Sequence, residues 1–163
     1  MARIVHIVGG SLNSGAGRGA LWLHQGLSKF GHESTFLGRL NPKDYPGLKV
    51  DGHSVLELAK VGLPAMALHQ GRQLRHAREL RIFKPTGHGF HVHKSEFFRT
   101  ADLVHIHWTT GVTFSRASWA RLSTETRPII WTLRDMWPFT GGCHVTGDCT
   151  KFTQGCGNCP LLA

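Results

Sequence analysis

The chain has 163 residues, a formal net charge of +9 with 12 histidines besides, and 40% hydrophobic residues. Such a length suits one domain that buries a core without staples, and the hydrophobic share excludes a disordered chain. The basic balance favours phosphates, nucleic acid or an anionic membrane surface as partners. No run reaches the roughly 18 apolar residues needed to span a bilayer, and MARIVHIVGG lacks the features of a secretory signal, so a cytoplasmic chain is expected.

Arg3–Val8 is a short β-branched run and reads as a buried strand. A glycine-rich loop follows from Gly9 to Gly19. A helix is expected over 18–30, because Ala20, Leu23, Leu27 and Phe30 recur at spacings of three and four and Gly31 follows as a stop. Ser34–Leu37 is a second strand, and 41–52, with Pro42 and Pro46, reads as loop. Residues 54–83 are helical in pattern, interrupted at Pro64, and place Arg72, Arg75, Arg78 and Arg81 on one side. Lys84–His93 is loop-like. Asp102–Trp108 is a third strand, Phe114–Leu122 a short helix, and Pro128–Leu133 a fourth strand expected to be buried on both faces. The remainder is irregular. Alternation of strands and helices predicts an α/β class, a Rossmann-like parallel sheet flanked by helices, with an irregular Cys-rich segment over 134–163 of a single domain covering 1–163. Ligands of such sheets bind at the carboxyl ends of the strands.

Three segments fall at those ends. Gly15, Gly17 and Arg18 lie between a strand and a helix, where backbone N–H groups and a fixed positive charge suit an anion; a plain turn is the alternative. The pattern is not G-x-G-x-x-G, and Arg39 rather than an acid follows the second strand, which weakens NAD and leaves NADP open. His105 and His107, two apart on one strand, share a face, either as metal ligands, as a catalytic pair or as a hydrogen-bonded core pair. Arg134 and Asp135 directly follow a buried strand, either as site residues or as an ion pair closing a loop. Trp137 and Phe139 can stack on a sugar or fill the core.

All four cysteines cluster, as C-x5-C-x6-C-x2-C from Cys143, Cys149, Cys156 and Cys159. In a cytosolic chain such a cluster points to structural zinc ahead of disulfides, with His144 as a spare ligand and free thiols as the alternative.

The stretch WTLRDMWPFTGGCHVTGDC with GCGNCPLL, the opening SLNSGAGRGALWLHQGLSKFGHEST and ADLVHIHWTTG together resemble bacterial group-one glycosyltransferases of the GT-B fold, the colanic-acid and exopolysaccharide enzymes in particular. The match is in order along nearly the whole chain and is weakest over 41–94. The resemblance implies the N-terminal, acceptor-side half of a two-domain enzyme that moves a sugar from a nucleotide-sugar donor to a cell-surface polysaccharide or lipid-linked acceptor. It implies that Arg134 and Asp135 stand where the family has a catalytic His-Asp pair, with Arg134 in place of the histidine. It implies that Gly15, Gly17, Arg18, His107 and Trp108 approach donor or acceptor. The donor-binding half with its paired glutamates has no counterpart here, so the chain alone is expected to be incomplete as an enzyme, needing that half in cis or in trans. Between Lys60 and Arg99, eight Lys/Arg face two acids, which suits peripheral contact with an anionic inner-membrane surface or a solvated helix face. The two other readings are a free-standing NADP-binding module and a basic zinc protein that binds nucleic acid; the latter fits poorly, because the basic residues and the cysteines lie apart.

Overall fold

The computed structural model describes residues 1–52, 89–109, 113–157 and 159. The arginine-bearing helical segment expected over 54–83 lies outside the described residues. Five parallel strands form one sheet in the order β3-β2-β1-β4-β5: β1 (Arg3–Val8), β2 (Glu33–Gly38), β3 (Val50–Gly52), β4 (Leu103–Ile106) and β5 (Ile129–Trp131). Among the described residues three helices accompany it, α1 (Gly15–Lys29), α2 (Glu96–Thr100) and α3 (Arg116–Ser123). This is a Rossmann-like α/β arrangement, as the alternation predicts. No helix among the described residues is long and apolar enough to cross a membrane.

Side-chain parity along the strands builds two cores. Val5 and Ile7 of β1, Leu37 of β2 and Val104 and Ile106 of β4 join Phe98 of α2 and Leu122 of α3 on one face. Val8 and Phe36 point the other way and meet Leu12 and Ala20 under α1. With helices on both faces, the central strands read as continuous apolar runs. His6 and His105 occupy the α1 face as well, paired across β1 and β4 in the register His6↔His105.

Three expectations need correction. α1 starts at Gly15, three residues before the predicted start, because Ser14 caps it by accepting from the Gly17 N–H. Its inward line is Gly17, Ala20, His24 and Leu27, whereas Leu23 is half exposed and Phe30 lies in solvent at 84% exposure. His24 is held inward by Ser34, Nδ1 to Oγ 2.9 Å, and by the Phe36 ring. Residues 41–52 are not all loop: Pro42–Asp44 form a 3-10 turn and Val50–Gly52 adds β3. β5 is not buried on both faces. It lies at the sheet edge, and Ile129, Ile130 and Leu133 are 38%, 48% and 55% exposed. Only its Trp131 turns in, against Trp119 of α3 and Trp137.

Candidate functional site

In the order β3-β2-β1-β4-β5 the chain winds outward in both directions from β1. In such sheets the crevice that takes ligands lies above the carboxyl ends of the strands beside such a switch, here β1 and β4. Its floor joins two loops. The Gly9 N–H donates to the Trp108 carbonyl at 2.7 Å, and a Cβ on Gly9 would sit 2.7 Å from that oxygen and 2.8 Å from Thr113 Oγ1. Only glycine permits that approach.

The wall on the α1 side is the loop 9–14. The Ser14 hydroxyl donates to the Ser11 carbonyl at 2.6 Å, while the Tyr45 hydroxyl bonds Ser11 Oγ at 3.0 Å and accepts from the Leu12 N–H at 3.1 Å. Gly17 packs against this loop: a Cβ there would overlap the Ser11 carbonyl oxygen and lie 2.7 Å from Leu12 Cα. Gly17 thus serves close approach of chain to chain, while Gly15 has open space around it. Arg18 is exposed and bends back to the Asn13 carbonyl at 3.4 Å.

The opposite wall is made by the chain after β5. Asp135 is its hub. Its Oδ2 accepts from the Trp108 indole N–H at 2.8 Å and bonds His144 Nδ1 at 2.5 Å; its Oδ1 accepts from the Trp137 N–H at 3.0 Å. The His144 ring stacks on Trp108, centroids 5.8 Å apart and planes 24° from parallel. Among the described residues Asp135 pairs with His144, not with Arg134. Arg134 instead crosses to α1, its guanidinium lying where a Cβ on Gly19 would be, with Nη1 2.8 Å from that position. A carboxylate on Nδ1 fixes the tautomer and orientation of an imidazole and leaves Nε2 with a lone pair. Asp135→Ala strands one indole N–H, one imidazole and one backbone N–H, all part-buried. It should cost about 3 kcal/mol in urea unfolding, while Asp135→Asn, which still accepts, costs about half that. A loss for Asp135→Ala no larger than that of an ordinary surface change would remove Asp135 from this role.

Beneath the crevice lie three buried imidazoles. His6, His105 and His107 are 0%, 6% and 1% exposed, and one ring nitrogen from each lies within 4.8 Å of the others. His6 Nδ1 and His107 Nε2 are 3.1 Å apart, and His105 Nε2 is 2.7 Å from Thr132 Oγ1. Burial, and then the neighbouring histidines, push His6 down to about 2. Burial, then His105 and Arg134, push His107 down to about 3. Burial, then Arg134, lowers His105 too. All three rings are neutral at pH 7. His107 is fully buried, whereas the next residue, Trp108, is partly exposed.

The four thiols are free. The Cys143 thiol is raised by burial and then by Cys159, Cys156 and Cys149. The Gly141 N–H donates to Cys156 Sγ at 3.1 Å, and the Thr140 hydroxyl accepts from the Cys143 N–H at 2.9 Å. Among the described residues, the convergent group of three potential ligands is nevertheless the histidine trio, not the cysteines.

Sequence reasoning found Trp108, Arg134 and Asp135 at the crevice but gave His144 only a spare metal role and missed His6. The signal for His6 was its place in IVHIV on the strand next to DLVHIHW. No sequence periodicity announces His144, nine residues beyond Asp135. No family model matches the chain, and no curated protein and no solved structure matches it either.

Proposed function

We propose that this chain is the acceptor-side domain of a glycosyltransferase that moves a sugar from a nucleotide-sugar donor to a polysaccharide or lipid-linked acceptor. The observation that carries the reading is the Trp108–Asp135–His144 group beyond the carboxyl end of β4. Trp108 offers a ring face to a sugar. His144, held by Asp135 through Nδ1, accepts the acceptor hydroxyl proton at Nε2 as that oxygen bonds the anomeric carbon of the donor. The anomeric carbon–phosphate oxygen bond breaks, and the departing phosphate keeps the electron pair. Arg134 and the N-terminal end of α1 supply positive charge for it. The family-type histidine replaced by Arg134 is thereby supplied from a different position. In this reading the nucleotide is held mainly by a second Rossmann-like half, in cis or in trans, and the chain works peripherally at a membrane surface.

The test is transfer to an oligosaccharide acceptor by the assembled two-half enzyme. His144→Ala should lower kcat by about 100-fold or more with little change in acceptor KM. Unchanged kcat would end the acid–base role. Shifts of the Trp108 indole signal on titrating the chain with oligosaccharides would support the acceptor side, and their absence would count against it.

A second reading is an NADP-binding module. Arg39 is exposed directly after β2, where an arginine meets a 2′-phosphate in dinucleotide-binding sheets. NADP shifting the signals of 9–14 and Arg39, with oligosaccharides silent, would select it. The cysteines are further proposed to hold one structural zinc that pins 141–159 beside the crevice, with the Gly141 N–H steadying the Cys156 sulfur.

A further inference from the structure

We propose that His6, His105 and His107 form a divalent-cation site of the zinc type, set into the sheet beneath α1 and distinct from the cysteine cluster. A neutral imidazole carries one N–H and one lone pair. His6 Nδ1 and His107 Nε2 face each other at 3.1 Å and share a single hydrogen bond. Whichever ring donates, the pair is left with one buried N–H and one buried lone pair unused. Those two atoms are His6 Nε2 and His107 Nδ1, which have no partner. Groups stranded in this way cost about 1–3 kcal/mol each, so the pair by itself is a poor use of two fully buried polar rings.

In place of the one hydrogen bond between the rings, a cation takes a ligand bond from each. Bonds of about 2.0–2.1 Å from a tetrahedral zinc hold ligand nitrogens roughly 3.3 Å apart, close to the separation of these two rings. Each ring then turns its lone pair to the ion and carries its proton on the outer nitrogen, His6 Nε2 and His107 Nδ1. The third ligand lies nearby, one ring nitrogen of His105 being within 4.8 Å of one from each of the other two rings. His105 and His107 are two residues apart on β4 and share a face, and His6 is in register with His105 on β1. In the tautomer with its proton on Nε2, His105 donates to Thr132 Oγ1, which leaves Nδ1 with the lone pair and fixes the ring, as outer partners do for metal-ligating histidines. Three neutral imidazoles with a fourth position for water or hydroxide match the donor set of a His₃ zinc site. The charged group that faces the trio is Arg134, and His24 of α1, itself lowered by burial, stands beside His6 as a further imidazole. Arg134 is exposed, so solvent screens it, but it opposes a cation; removing it should strengthen binding.

The experiment is a Co²⁺ titration of a chain whose four cysteines are serine (C143S, C149S, C156S, C159S). The expected result is one Co²⁺ per chain, with visible d–d absorption and no sulfur charge-transfer band. Tighter binding is expected in the same background with Arg134→Ala, and loss of the absorption with His105→Gln or His107→Gln. A folded cysteine-free chain that takes up no Co²⁺ overturns the proposal. If that chain does not fold, the unaltered protein decides: saturating Zn²⁺ should shift the imidazole ¹⁵N signals of His6, His105 and His107 together. If those signals stay in place, the trio holds trapped water only and the site is rejected.

Discussion

Metal-free protein should lose stability at about 3 kcal/mol per pH unit as the pH falls below 6, and it should unfold near pH 4. His6 and His107 protonate in the unfolded chain near the ordinary value of 6.5 but in the folded chain only near about 2 and about 3. Their folded values are depressed, so the unfolded state binds more protons throughout that window. The stability they contribute is complete above pH 6.5 and drains away as the pH falls toward the folded values. Each histidine supplies about 1.4 kcal/mol per pH unit, and two of them exhaust a typical margin of about 5–15 kcal/mol within a few units. The carboxylates do not confuse the window. Asp102 and Glu125 are held down to about 2 by Arg3 and Arg127, so what they contribute is lost only below about pH 4.5. Urea unfolding in chelator at pH 7, 6 and 5 measures the slope, and His6→Phe, which keeps a ring beside Phe36, should roughly halve it. Stability that is level from pH 7 to pH 5 would show that the imidazoles are not buried as neutral groups.

Gly17→Ala should destabilise the fold by about 3 kcal/mol, and Gly15→Ala should change it by less than about 0.5 kcal/mol in either direction. The two glycines are two residues apart in the first turn of α1, and their backbones are helical alike. Surroundings separate them. A methyl on Gly15 meets nothing within 4 Å, but on Gly17 it overlaps the Ser11 carbonyl and crowds Leu12 Cα. Both obstacles are backbone, and Leu12 is fully buried, so neither can swing aside as a side-chain end would. The loop 9–14 must lift or α1 must tilt, and the crevice wall moves with it. Thermal unfolding should report a fall of about 6–12 °C for Gly17→Ala. Near-equal melting temperatures for the two variants would mean that the helix start is looser than described.

The parallel sheet was legible because its signals are local: IVHIV, DLVHIHW and the helical spacing between strands. β1 came out with its predicted limits. The helix start was misjudged because glycines argue for loop by intrinsic preference, whereas Ser14 and the contact at Gly17 settle the matter by tertiary means. The apolar run of β5 predicts burial on both faces, since composition cannot tell a central strand from one at an edge. At the site, Arg134 and Asp135 were visible as charges beside a strand end. Their partners were not, because Asp135 finds Trp108 and His144 through loop closure and Arg134 finds Gly19 on a helix more than a hundred residues earlier.

The central place of β1 has a temporal consequence. One of its edges pairs with β2 and the other with β4, and the ion pair that fastens their starts joins Arg3 to Asp102, 99 residues apart in sequence. At synthesis rates of about 5–20 residues per second, the second edge of β1 waits roughly 5–20 s for its partner to be made. During that interval His6 has neither His105 nor His107 beside it, and a strand destined for the centre of the sheet stays open along one side. A chaperone that shields this nascent edge should therefore raise the yield of folded protein more than one added after release.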